Sequence, residues 1–289
     1  MRRNYFHLGT IPFWSVHVAA VAGVFWLGFS WTGLAIAVAL YFARMFFVTA
    51  GYHRYFAHRS FKTSRVMQFL FAVGASTTMQ KGVLWWAAHH RRHHRESDKP
   101  SDPHSLLHYG FWWSHLGWIL SPAFAGTDQE KIKDLAKYRE LRIIDKLHLV
   151  PGILLAVVLL AVGGWHALVW GFAVSTVLLW HGTFTINSLT HVFGTRRYES
   201  SDESKNHWLL AIITMGEGWH NNHHHYQLSA KQGFVWYEID MSYYILKVMS
   251  WARLVKDLRV PPRYVIEGRR KHEKPVQPVA EAEELKTAA

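Results

Sequence analysis

The sequence predicts an all-α integral membrane protein: four transmembrane helices in two hairpins, with a cytoplasmic helical cap that holds a histidine-rich site. Three observations predict it. Apolar segments fall in two closely spaced pairs. Basic residues concentrate in the stretches between and after those pairs. Histidines recur at fixed spacings just beyond the apolar segments.

The first pair is residues 11–29, with His17 and no charge, and residues 31–50, with only Arg44 near its end. Each has the length that a membrane-spanning helix needs, and so short a link makes a tight hairpin. The second pair is residues 149–164 and 167–186. Segment 66–88 is apolar too, but Gln68, Gln80 and Lys81 interrupt it, which suits a helix in the membrane interface or a buried core helix. Arg2 and Arg3 ahead of an apolar run also permit a signal-peptide reading. Against it, the run is long, a second apolar helix follows at once, and no convincing cleavage site appears.

Orientation comes from the loops. Residues 51–147 hold 15 Lys and Arg, residues 187–289 hold 14, and the two hairpin turns hold none. The positive-inside rule places both termini, the central loop and the C-terminal third in the cytoplasm. Every dense histidine cluster falls on that side. The net charge of +12 is then explained by topology and by attraction to anionic lipid. No nucleic-acid-binding signature appears, so no nucleic-acid partner is expected. The 289 residues include fifteen tryptophans and no cysteine. That excludes disulfides, thiolate nucleophiles and iron–sulfur clusters. Any metal must be held by histidine, carboxylate, amide or water.

Four histidine figures stand out: "HRYFAH" with His53 and His58; "HRRHH" with His90, His93 and His94; "NSLTH" with Asn187 and His191; and "HNNHH" with His220, His223 and His224. Positions i, i+3 and i+4 share one helix face, and neutral imidazole is a good ligand for iron, zinc or copper. Nine imidazoles exceed what one ion takes, so two ions fit the arithmetic. With no carboxylate among the ligands, nearby acidic groups should orient the rings. The candidates are Asp98, Asp102, Glu199, Asp202, Glu203 and Glu217. Asp102, Glu217 and His104 are carried forward as outer partners. His7, His17, His148, His166, His181, His207 and His272 read as ordinary polar positions. His89 and His225 break the box spacing and read as non-ligands. His108 and His115 read as packing or outer-sphere residues.

The pattern HxxxxH, HxxHH, HxxHH, with the Asn-xxx-His element, resembles the integral-membrane fatty acid desaturases, in particular the stearoyl-CoA (acyl-CoA Δ9) branch. The flanks "AGYHRYFAHRSF", "SDPHSLLHYGFWWSHLGW" and "MGEGWHNNHH" carry the same likeness. It runs over roughly residues 10–260. The resemblance implies two non-haem iron ions, O2 as co-substrate, and conversion of a saturated acyl chain to a cis-monounsaturated one. It implies as ligands His53, His58, His90, His93, His94, His191, His220, His223 and His224, with Asn187 acting through a water. It also implies a fatty acyl-CoA substrate and an external electron donor: a ferredoxin, a cytochrome b5 or an iron–sulfur reductase. His89 stands where the acyl-CoA members carry an acidic residue. No fused cytochrome b5-like domain is expected in the 65 residues after His224. The expected division is a desaturase domain over 1–264 and a polar, disordered tail over 265–289.

Two other enzyme readings compete. A membrane di-iron hydroxylase of alkanes, sterols or carotenoids shares the histidine-rich face but uses longer intervals such as HxxxHH. A desaturase acting on phospholipid-bound chains differs only in the carrier. A metal transporter should place its ligands at the bilayer midplane, and these clusters lie outside the spans.

Overall fold

The computed structural model describes residues 5–268. Among the described residues, three helical stretches are long and apolar enough to cross a membrane: Leu8–Leu27, Trp31–Ala57 and Val150–His191. The sequence leads one to expect four. The difference lies in the second pair, whose members run into one another.

Helix α1 (Ile11–Leu27) has a proline in its first turn, where a missing N–H costs nothing. Ser30 caps α2 (Trp31–Phe46), its Oγ accepting the Gly33 N–H at 3.0 Å. The span does not end near residue 50. It continues as a π-helical stretch, Phe47–Ala57, that carries the rod through the first histidine box. Wide turns of this kind are frequent at functional sites. Here the turn lets His53 leave a membrane-anchored rod without a flexible loop.

Segment 66–88 divides into α3 (Arg65–Ser76) and α4 (Val83–Glu96). Met79 and Lys81 in the turn between them have φ of 57° and 67°. Gly82, ahead of α4, offers no side-chain cap. Instead Asp145 of α5 (Arg139–Lys146) accepts the Leu84 and Trp85 N–H groups at 2.7 and 3.2 Å.

The third apolar stretch, 42 residues, would rise about 63 Å as one straight helix, roughly twice the hydrocarbon thickness. It is broken. Helix α6 (Val150–His166) leaves helical geometry at Gly163 and Gly164, where Gly164 takes φ 60° and ψ −158°, a conformation that essentially only glycine adopts. Beyond the break come a π-helical stretch, Ala167–Val174, and α7 (Ser175–Ser188). Leu159, before the break, lies against Gly171 after it. Val18, Val21 and Phe25 on α1 and Ile153, Leu154 and Val157 on α6 are exposed, an apolar surface of the kind that lipid covers.

Besides several short helical turns, the later part of the chain forms α8 (Trp208–Ile213), α9 (His220–His225) and α10 (Met241–Trp251). One two-residue antiparallel ladder, β1 (Lys62–Thr63) with β2 (Val255–Lys256), ties the C-terminal part to the chain just after the first box. The main core runs from the spans into the cap through Tyr52, Phe56, Phe71, Leu141, Leu179 and Leu246. Val265 is buried with Tyr198 and Phe234. Residues 269–289, which include His272 and most of the expected tail, lie outside the described residues.

Candidate metal centre

Four helix ends converge. His53 lies on the π-helical end of α2, and His58 just follows it. His90, His93 and His94 share one face of α4. Asn187 lies in the last turn of α7, and His191 in the short 3-10 turn after it. His220, His223 and His224 are on α9. All nine histidines predicted from spacing come together, in two groups: His53, His58, His90, His94 and His223; and His93, His191, His220 and His224. Within each group, one nitrogen from every ring lies within 4.8 Å of the others.

In the first group the Nε2 atoms face one another. His58 and His90 are 2.8 Å apart, His90 and His94 2.9 Å, His94 and His223 2.9 Å, and His223 and His53 3.0 Å. Glu217 accepts the Nδ1–H of His53, which leaves the His53 Nε2 with a lone pair. A neutral imidazole holds one proton. Alternating donors and acceptors along that row then supply two protons for four contacts. Further protonation is opposed, because burial, followed by the neighbouring rings, holds His58, His90, His94 and His223 well below the usual imidazole range. Converging lone pairs without enough protons suit a metal cation. The second group has the same character. His191 and His220 face each other at 3.3 Å, and the Nε2 of His224 is buried without a hydrogen-bond partner.

Carboxylates hold the far sides of the rings. Asp102 accepts from His93 Nδ1 at 3.1 Å, Asp98 from His191 Nδ1 at 3.2 Å, and Asp202 from His224 Nδ1. Burial alone would raise the Asp102 and Asp202 carboxyls, but His93 and His224 outweigh it and hold both far below the usual carboxylate range. Burial pushes His224 down to about 4 in spite of Asp202. Such contacts select the tautomer that aims Nε2 inward. Four of the six acidic candidates thus fill this role. Glu203 instead pairs with Arg196 at 3.1 Å, and Glu199 is exposed. His104 packs its ring against His93, centroids 4.2 Å apart. His89 donates its Nε2–H to the Gly126 carbonyl at 3.0 Å, and His225 stacks on Tyr198. Neither belongs to the two groups.

Two cavities meet at the histidines. The larger is lined by the polar Lys81, Gln80, His148 and Ser121 and by the rings of Phe13, Trp86, Trp180 and Phe184. It reaches His90 and Asn187. The second continues from the same Trp86, His90, Thr183 and Asn187 to Met45, Val48, Thr49 and Thr214.

With this geometry in view, a family model for fatty acid desaturases matches residues 29–249. The chain belongs to the fatty acid desaturase family. The desaturase is 37% identical over 252 residues to an sn-1 stearoyl-lipid 9-desaturase of Synechocystis sp., covering 86% of this chain and 79% of that protein. It is 35% identical over 256 residues to an sn-1 stearoyl-lipid 9-desaturase of Anabaena variabilis, covering 88% and 93%. It is also 36% identical over 237 residues to an acyl-CoA C20 Δ5-desaturase of Anemone leveillei, covering 81% and 76%. The family makes the desaturase an oxidoreductase of lipid metabolism, in keeping with its apolar helices and histidine clusters.

Some residues in contact with the site escaped the sequence reading. Arg54, fully buried inside the first box, bonds Glu217 at 3.0 Å and Asp240 at 2.9 Å. It thereby fixes the carboxylate that orients His53. Gln232, also buried, lies 3.3 Å from His53 Nδ1. Asp240 and Gln232 are far from any box, and no spacing points to them. His17, His181 and His115, read as polar or packing positions, form a chain at 3.2 and 3.0 Å that ends on Ser188, beside Asn187.

Proposed function

We propose that the desaturase is an O2-dependent enzyme that introduces a cis double bond at Δ9 of a saturated long-chain acyl group. Two non-haem irons would be held by His53, His58, His90, His94 and His223 and by His93, His191, His220 and His224, with Asn187 acting through a water. The observation that carries this reading is the pair of buried imidazole groups at the junction of two apolar cavities. Such a centre, when loaded, supplies the reduction of O2 and the removal of hydrogen from an unactivated methylene, which acid–base side chains cannot do. The balance is R–CH2–CH2–R′ + O2 + 2 electrons + 2 H⁺ giving R–CH=CH–R′ + 2 H2O. The electrons come from an external donor such as a ferredoxin, a cytochrome b5 or an iron–sulfur reductase.

The residues of the chain position the substrate. The acyl chain lies along the face of α4 that carries Trp85, Trp86, His89 and His90, then passes into the second cavity. From Gly82 to His90, α4 rises about 12 Å, comparable with the extended length of half a stearoyl chain. That spacing, with the Δ9 relatives, supports Δ9. Trp86, Phe184 and Trp180 keep water from the chain. We read the break at Gly163–Gly164 as the turn of the second hairpin, which gives four spans in two hairpins with both termini and the site in the cytoplasm. Residues 1–264 then form the catalytic domain.

Two carriers fit. The likeness at the histidine boxes favours acyl-CoA, and the Synechocystis and Anabaena relatives, by their names, act on lipid-bound chains. Expression in a host that lacks unsaturated-fatty-acid synthesis, with double bonds mapped by mass spectrometry, tests the reading. Monounsaturated chains with the bond at C9 are expected. Hydroxylated chains in their place would make the enzyme the di-iron hydroxylase of the competing reading.

A further inference from the structure

The lining of the larger cavity contains one Lys, Arg, Asp or Glu side chain among the described residues, Lys81. Its setting is unusual. Lys81 has a φ of 67°, in the left-handed region where a non-glycine residue is strained. The loop is pinned there: Tyr52 donates to the Lys81 carbonyl at 2.9 Å, Trp180 donates to the Thr78 carbonyl at 2.7 Å, and Met79 fills the space beside Gly152. Strain of this kind clusters at ligand clamps.

The ammonium group has no anion to pair with. No ion pair or hydrogen bond of the Lys81 side chain is present among the described residues, although the side chain is half-buried. Asp145, next to the loop, spends its carboxylate on the Leu84 and Trp85 N–H groups. Burial lowers the Lys81 pKa, and its charge acts on His89 and His148, which line the same cavity. A lysine with no counter-charge on a cavity wall is free to meet an anionic group on a ligand. The same lining holds the polar His148 and Ser121 and the aromatic Trp85, Trp86 and Trp180. The cavity thus joins a cation to a largely aromatic wall and reaches the histidines.

We propose that Lys81 binds a phosphate group on the acyl carrier, so that the enzyme takes chains borne on phosphate-bearing molecules in preference to neutral glycolipids. This rests on the desaturase reading above and names the head-group chemistry of the same site. The phosphate belongs either to coenzyme A or to a phospholipid. Lys81 would act on the head group and not on the reacting carbons, so its effect falls on binding.

The test compares the wild-type protein with Lys81→Gln and Lys81→Arg on three substrates: stearoyl-CoA, stearoyl-phosphatidylglycerol and stearoyl-monogalactosyldiacylglycerol. With wild type, turnover on at least one phosphate carrier should exceed that on the galactolipid. Lys81→Gln should raise KM for that carrier about tenfold or more, the usual worth of a charge-assisted hydrogen bond, with kcat retained. Lys81→Arg should restore KM. Titration calorimetry of the same carrier with metal-free protein should show the same loss of affinity, independently of turnover. Which of the first two substrates responds identifies the source of the phosphate. Equal KM in wild type and Lys81→Gln for every carrier, or equal use of the galactolipid, would overturn the proposal while leaving the desaturase intact. Product from none of the three by wild type, with affinity for the phosphate carriers still dependent on Lys81, would instead count against the desaturase reading.

Discussion

At the scale of single residues, the site separates into rings that face inward and groups that aim them. The rings were legible because i, i+3 and i+4 spacing on a helix leaves little freedom: His90, His93 and His94 had to share a face. Their carboxylate partners were legible only as a set of candidates. Asp102 lies close to its ring in sequence, but Asp98, Asp202 and Glu217 reach theirs through folding alone. Arg54 was hidden because it sits inside a box and reads as one more basic residue, whereas it is buried between Glu217 and Asp240. This arrangement predicts the behaviour of Glu217→Ala. Losing the partner of His53 Nδ1 should weaken metal affinity about 10- to 100-fold. Competition with a graded series of chelators measures it. Glu217→Gln, which keeps an acceptor oxygen, should lose less.

The elements carry the residues to one place, and here the sequence was read correctly in kind and less well in extent. Apolar length marked α1 and α2, but nothing in composition showed that α2 continues as a π-helical rod to Ala57. The interruption by Gln80 and Lys81 in segment 66–88 was visible, and its meaning was a turn between two helices. The cap on α4 comes from Asp145, sixty residues away in the fold's other arm, so no local signal could give it. Close helix contact adds a test. A Cβ on Gly33 would lie 2.5 Å from the Trp170 ring. Gly33→Val should therefore destabilise the span region by about 1–3 kcal/mol. Thermal unfolding in detergent should show a lower Tm with the histidine site's metal affinity little changed, since that site lies at the other end of α2.

For the whole molecule, the account joins membrane anchoring to oxidation chemistry on one face. Charge distribution predicts the orientation. The number of spans is harder to read, because segments 149–164 and 167–186 form one helical stretch interrupted at a glycine pair. Topology is open to direct test. The chain has no native cysteine, so Ser201→Cys can be labelled without background. An impermeant thiol reagent should label it in inverted vesicles and leave it untouched in intact cells.

The central claim is that nine histidines hold two irons in two distinct groups. Iron counting on purified, iron-reconstituted protein tests it most directly. Wild type should bind two irons per chain. His191→Ala, which changes only the second group, should retain about one, and so should His58→Ala, which changes only the first. Two irons kept in both variants, or a single iron in wild type, would contradict the account.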